Sequence, residues 1–175
     1  MTDEDLLREV FESHNKIRTD PQHYLPHLTT MFKSFEGNTL CMPGQVGFIT
    51  EEGKKAVWEA GRFLKDAEPI SELKLSKTLC KAAQAHADDT EENNLISHDG
   101  SDGTKFSVRI KRYAEKVRTI GENITYKNPI NGTDFVLDLL IDDGVKSRGH
   151  RKNMFNKAFK YVGIGIARHP RYTKC

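Results

Sequence analysis

The feature that most constrains this chain is the run from Gly121 to Met154, where two short turns bracketed by glycine flank one amphipathic helix. One turn, Gly121-Glu122-Asn123, carries an acid; the other, Arg148-Gly149-His150-Arg151, carries an imidazole. The helix between them is expected to be capped by Thr133, to bury Phe135, Val136, Leu139 and Leu140, and to end at Asp142-Asp143-Gly144. Upstream, Ser97-His98-Asp99 adds a second histidine. Together His98, His150, Glu122, Asp142 and Asp143 form a donor set suited to one divalent cation. Neutral imidazole and carboxylate both ligate first-row metals, and a further acid can orient a bound water. Such a site needs three distant segments to converge, which only the fold decides.

A chain of 175 residues, 37% hydrophobic and 30% charged, has the size and balance of one soluble globular domain. At that length folding buries roughly two thirds of the unfolded surface, so no staple is needed. A net charge of +2 gives no reason to expect nucleic acid as a partner. No apolar run approaches the roughly 20 residues that span a bilayer, and the acidic start Met1-Thr2-Asp3-Glu4-Asp5 is no signal segment. The three cysteines, Cys41, Cys80 and Cys175, leave at least one thiol unpaired and match no zinc-binding spacing. Cys80, beside Leu79 and Ala82, reads as a small buried hydrophobe, and Cys175 as solvent-exposed.

In chain order, Leu6, Leu7, Val10, Phe11, His14 and Ile17 recur at helical spacing after a cap at Thr2 or Asp3, giving a first helix to about Arg18. Asp20-Pro21 is expected to cap and open a second helix through Tyr24, Leu28 and Phe32. Ser34 to Ile49 has no apolar period and is expected to be a loop. Thr50-Glu51-Glu52 then starts a helix with Ala56, Val57, Ala60 and Leu64 inward and the lone Trp58 off that stripe. Ser76 caps a further helix on whose alanine-rich face His86 reads as a hydrogen-bonded core histidine rather than a metal ligand. The loop Asp99 to Gly103 has a faint calcium-loop pattern, but Ile110 stands where an EF-hand glutamate should close it.

Thr104 to Glu115 is expected to be helical, with Arg109, Lys111, Arg112, Lys116 and Arg118 in and just beyond it. Such a run is usually a solvated face, the alternative being a patch for anionic lipid or another acidic partner. Ile120 to Tyr126 alternates like a strand and sets Glu122 in an apolar row, where a carboxylate needs a partner. Tyr161 to Ala167 is the clearest strand, with Val162, Ile164 and Ile166 alternating against Gly163 and Gly165. Helices first, then strands interleaved with one helix, give an α+β class.

Six short motifs, in order, resemble those of the CAP superfamily, which includes cysteine-rich secretory, antigen-five and pathogenesis-related-one proteins. They are His14-Asn15-Lys16-Ile17-Arg18, Ala82-Ala83-Gln84-Ala85-His86-Ala87, Ser97-His98, Gly121-Glu122-Asn123-Ile124, Gly149-His150-Arg151 and Val162-Gly163-Ile164-Gly165. The resemblance, from about Leu6 onward, implies a single CAP (SCP-like) domain over residues 1–175 with an α-β-α sandwich, a small central sheet lying between helices. Relatives generally continue past the position of Cys175, so the C-terminal strand is expected to be missing or shortened. The resemblance also implies a cavity lined by His98, Glu122, His150 and one aspartate of the Asp142-Asp143 pair. Helical phase favours Asp143, whereas family-style spacing from Leu139 favours Asp142.

The resemblance implies a binding module whose cavity holds zinc or a similar cation through His98 and His150 and whose grooves take a lipid, sterol or protein partner. A metal-dependent, peptidase-like hydrolase is the alternative, with Glu122 as general base on a zinc-bound water. A third reading is a purely structural polar network in an interaction protein. Secreted relatives usually carry several disulfides, so the few cysteines here tilt toward a reducing compartment or a disulfide-poor branch. The family is mostly secreted, and secretion of a parent protein with a removed signal is expected, with a cytoplasmic location as the alternative.

Overall fold

The computed structural model describes residues 2–114, 117–127 and 129–175. Among the described residues seven α-helices carry the architecture: α1 (Asp3–Thr19), α2 (Leu25–Lys33), α3 (Lys54–Asp66), α4 (Lys77–Asn93), α5 (Phe106–Tyr113), α6 (Gly132–Ile141) and α7 (Gly149–Met154). Seven two-residue strands pair in three small sheets. β1 (Phe35–Glu36), β2 (Thr39–Leu40) and β3 (Phe48–Ile49) form an antiparallel ladder; β4 (Lys74–Leu75) pairs with β5 (Tyr161–Val162) in parallel; β6 (Arg168–His169) pairs antiparallel with β7 (Thr173–Lys174). The class is α+β, as the sequence implied. The last strand, β7, is short.

The main core joins α1, α2, α3, α6 and α7 through Ile17, Leu28, Ala60, Leu64, Leu140 and Met154. Gly132 lets α6 meet α1, since an added Cβ there would overlap the backbone of Glu9 and Val10. Fully buried Arg18 ties the end of α1 to two other segments, donating to the carbonyls of Ser71, Met154 and Asn156. Two side-chain amides act as surrogate strands. Asn15 exchanges hydrogen bonds with Leu73 N and O, at 2.9 and 3.0 Å, and Gln84 does the same for Ile166, at 3.1 and 2.9 Å.

Several expectations are corrected. Thr2 does cap α1; Asp20 stands at the N-cap ahead of Pro21 but makes no side-chain cap bond, Lys16 holding its carboxylate at 2.9 Å, and what opens there is a 3-10 turn over Pro21–Tyr24 that precedes α2. The loop expected from Ser34 contains the β1-β2-β3 ladder. Helix α3 starts at Lys54 rather than Thr50, after Gly53 turns the chain with φ 59°. Asn131, not Thr133, caps α6 in a capping box with Asp134, and Thr133 instead bonds Ser13 at 2.8 Å. Helix α5 runs only over Phe106–Tyr113; Glu115 and Lys116 lie outside the described residues. The strands expected at Ile120 to Tyr126 and Tyr161 to Ala167 shrink to β5 alone, because the second segment lies directly on α4 and the first lines a cavity. Cys80 and Cys175 are both half-buried with free thiols, and burial pushes the Cys175 thiol up against the opposing hydrogen bonds of Thr90 and Tyr126.

Candidate functional site

The loop after α4 carries His98, and the segment after α5 carries Glu122. They meet with His98 Nδ1 2.9 Å from Glu122 Oε1. The other carboxylate oxygen accepts from the guanidinium of Arg109, which also donates to His98 O at 3.0 Å. An ion-paired carboxylate only accepts, so Nδ1 of His98 is the donor in this contact. Arg109 is 7% exposed. It therefore belongs to this site and not to the basic patch expected along Arg109, Lys111, Arg112 and Arg118. The partner that Glu122 required is this arginine.

Helix α6 ends at Asp142, whose left-handed backbone (φ 58°, ψ 44°) breaks the helical phase and swings its carboxylate inward. Asp142 Oδ1 lies 2.7 Å from His150 Nδ1, and Oδ2 accepts from His150 N at 2.9 Å. Asp142 is thus the site acid. Asp143, which helical phase favoured, points elsewhere and accepts from Glu51 N and Glu52 N at 2.7 and 2.9 Å ahead of α3.

The four residues are brought together as two histidine–carboxylate pairs. Between them, Asn123 donates to His150 O at 3.1 Å, and Asn153 donates to Glu122 O and Asn123 Oδ1 at 3.2 and 2.9 Å. Among the described residues no group of three or more His, Cys, Asp or Glu is gathered to hold a metal ion. Beneath His150, Arg148 and Arg151 grip Glu52 and Glu59 on the α3 side. Hydrogen bonds from Arg148, with those from Arg151, hold the Glu59 carboxyl at about 2. A depressed carboxyl stabilises the fold above its ordinary value of 4.5 and loses that contribution as pH falls toward 2.

Behind Glu122 opens a cavity of about 600 Å³, bounded by α1, α4, α5, α6 and residues 117–125 and 158–166. Leu79, Ala83, Ile110, Ile124, Phe135 and Ile164 give it apolar walls, and His14, Glu122 and Asn123 are polar points on them. The alternation that reads as strands at Ile120 and Ile124 and again at Ile164 and Ile166 supplies cavity wall. His14, expected to be a partly buried surface histidine, keeps partial access through this cavity. Protein surrounds its ring: burial, aided by the Arg18 charge, lowers its pKa to about 4 from 6.5. Because the unfolded chain protonates first, stability should fall as pH drops from 6.5 toward 4. His14→Gln should flatten that acid limb, which urea unfolding at a series of pH values measures; an unchanged limb would assign the loss elsewhere.

Sequence reasoning placed Arg109 in a basic run rather than in the site, and missed Asn153 and the apolar character of the space behind Glu122. The signal for Arg109 was present as the unmatched acid at Glu122. His86 behaves as expected: it is 4% exposed, with Nε2 2.9 Å from Ser97 O, and so holds the loop that carries His98.

An α+β fold with two histidine–carboxylate pairs beside a largely apolar cavity describes a class of module, and comparison with known proteins identifies its family. Residues 11–175 match CAP, the cysteine-rich secretory protein family, and the chain belongs to it. It is 28% identical over 115 residues to the uncharacterized protein YkwD of Bacillus subtilis, covering 64% of this chain and 41% of that one. With the uncharacterized membrane protein YlbC of the same organism it shares 23% identity over 120 residues, 69% of this chain and 33% of the relative. The chain therefore spans less than half the length of these curated relatives. A solved extracellular protein containing an SCP domain, from Bacillus anthracis, is 28% identical with a TM-score of 0.46, covering 56% of this chain and 30% of that one.

Proposed function

We propose that this chain is a CAP-domain binding module that takes an elongated apolar molecule, a lipid or a sterol, into the cavity behind Glu122, and that it works outside the cell. The observation that carries the reading is the cavity itself. Its volume of about 600 Å³ falls within the roughly 300–1,000 Å³ typical of ligand pockets, and its walls are mainly aliphatic and aromatic. The extracellular placement is supported by the family's secretory character. Among the described residues, no helix is long and apolar enough to cross a membrane.

Titration with cis-parinaric acid, whose fluorescence rises in apolar surroundings, tests the reading. Saturable enhancement is expected, with a loss of at least tenfold in affinity for Ile120→Phe/Ile124→Phe, which fills the cavity. Equal binding by wild type and the filled variant would refute the site.

A second reading adds a divalent cation, and one observation favours it. His98 Nδ1 is hydrogen-bonded to a carboxylate, the arrangement that orients a metal-ligating imidazole and leaves Nε2 outward, and His150 Nδ1 lies 2.7 Å from Asp142 Oδ1, a buried oxygen with no hydrogen-bond partner among the described residues. His98 and His150 would hold zinc, with Glu122 and Asp142 as orienting acids and water completing the shell; bound there, zinc supplies Lewis acidity. Arg109 and His98 already engage both oxygens of Glu122, which makes it a poor general base and disfavours the hydrolase. Calorimetric zinc titration should show His98→Ala and His150→Ala each weakened by more than tenfold and His86→Ala, which only steadies the His98 loop, weakened less. Equal affinity in wild type and His150→Ala would remove this reading and leave the cavity untouched.

A further inference from the structure

One part of the surface combines an exposed apolar tip with a cationic helix. The tip is the turn between β2 and β3, where Val46, Ile49 and Phe48 are 93%, 82% and 45% exposed. The chain then runs through Thr50–Gly53 directly into α3. Helix α3 buries Ala56, Val57, Ala60 and Leu64, so its opposite side presents Lys55, Trp58, Arg62 and Lys65 within one arc of about 80° at helical spacing. Trp58 is 52% exposed, with the Arg62 guanidinium 5.1 Å from its ring centre. Lys54, at the junction, lies 5.5 Å over the ring of Phe32, itself 38% exposed, and so joins α2 to the same face.

Cations lead on this face. Among the described residues Lys54, Lys55, Arg62 and Lys65 have no salt-bridge partner, against three carboxylates without one: Asp66 at the edge of the α3 arc, Glu51 in the connecting segment and Glu36 on β1. The apolar side chains stand exposed on a hairpin and line neither the cavity behind Glu122 nor another described pocket. That placement suits insertion into a soft, continuous phase better than reception of a protein knob. Aliphatic and phenyl groups at the point, an indole behind them and lysine and arginine around it match the depth order of a bilayer interface: acyl boundary, headgroup, phosphate.

We infer that the β2–β3 tip and the outer face of α3 dock this domain on an anionic phospholipid bilayer. Val46, Phe48 and Ile49 enter the acyl boundary. Lys54, Lys55, Arg62 and Lys65 meet the phosphates and Trp58 sits at headgroup depth. The apolar tip and the cations act together, so neither suffices alone. The membrane-facing surface is this one, not the basic run along α5. It is independent of what the cavity holds.

Trp58 is the only tryptophan, so its emission reports this face directly. With vesicles containing phosphatidylserine at low salt, its emission should shift to the blue and the protein should co-sediment. Pure phosphatidylcholine vesicles, or high salt, should weaken both effects strongly. Lys55→Glu/Arg62→Glu should reduce vesicle affinity by about 25-fold or more, taking about fivefold per cation. Val46→Asp/Ile49→Asp should abolish the blue shift. These positions are exposed, so all variants should keep the wild-type melting temperature, which shows that a loss is not unfolding. Lys111→Glu/Arg112→Glu on α5 should bind like wild type. No blue shift and no sedimentation with phosphatidylserine vesicles at low salt would overturn the inference. So would undiminished binding by both face variants, or a loss confined to the α5 variant.

Discussion

Gly163→Ala is expected to lower the melting temperature by about 6–12 °C, the largest effect of any single methyl group in this protein. An added Cβ at Gly163 would fall inside the backbone of Leu79 and Cys80, and one at Gly165 inside that of Ala83 and Gln84. The obstruction is helix backbone, which cannot rotate away as a side chain can. Overpacking of this kind costs about 3 kcal/mol or more, and a domain of this size loses about 2–4 °C for each kcal/mol. Differential scanning calorimetry reads the shift. A melting temperature within a degree of wild type would mean that the segment after β5 does not lie against α4 as described, and the cavity wall built from Ile164 and Ile166 would go with it.

Arg18→Met comes next, with an expected loss of about 2–4 kcal/mol. Burial pulls the pKa of Arg18 down, and its guanidinium is solvated by carbonyls of Ser71, Met154 and Asn156 rather than by a carboxylate. Methionine keeps much of the volume and leaves those acceptors without donors. Two of the carbonyls, those of Met154 and Asn156, lie at and just beyond the end of α7, the helix that carries His150, so the substitution should also loosen the His150–Asp142 pair. Arg18→Lys restores charge without the planar fork and should recover only part of the loss. Urea unfolding with an unchanged slope and a lowered midpoint checks the prediction. A midpoint equal to wild type would show those carbonyls satisfied by other means.

The helices were legible because their signals are local. The stripes of α1, α3 and α6 follow from apolar spacing, and the caps at Thr2 and Ser76 from side chains within three residues of the orphan N–H groups. The strands were less so. Val162 to Ile166 has the alternation of a strand, but its backbone groups are met partly by the Gln84 amide 82 residues away, a long-range exchange that no period records. Asp142 and Asp143 were interchangeable by spacing, and a left-handed residue at the end of α6 decided between them. Arg109 looked like its neighbours Lys111 and Arg112 until burial separated it from them. His98, Glu122 and His150 were legible as a set from motif resemblance, but their grouping in two pairs depends on tertiary placement.

The central claim is that the cavity between α4 and the Ile120–Thr125 segment receives an apolar chain. The most direct measurement is a crystal grown with a fatty acid brominated at its tail, with bromine located by anomalous scattering. A bromine peak among Leu79, Ile110, Ile124 and Phe135 is the predicted result. Bromine only on the outer surface, with the cavity holding ordered water alone, would contradict the account.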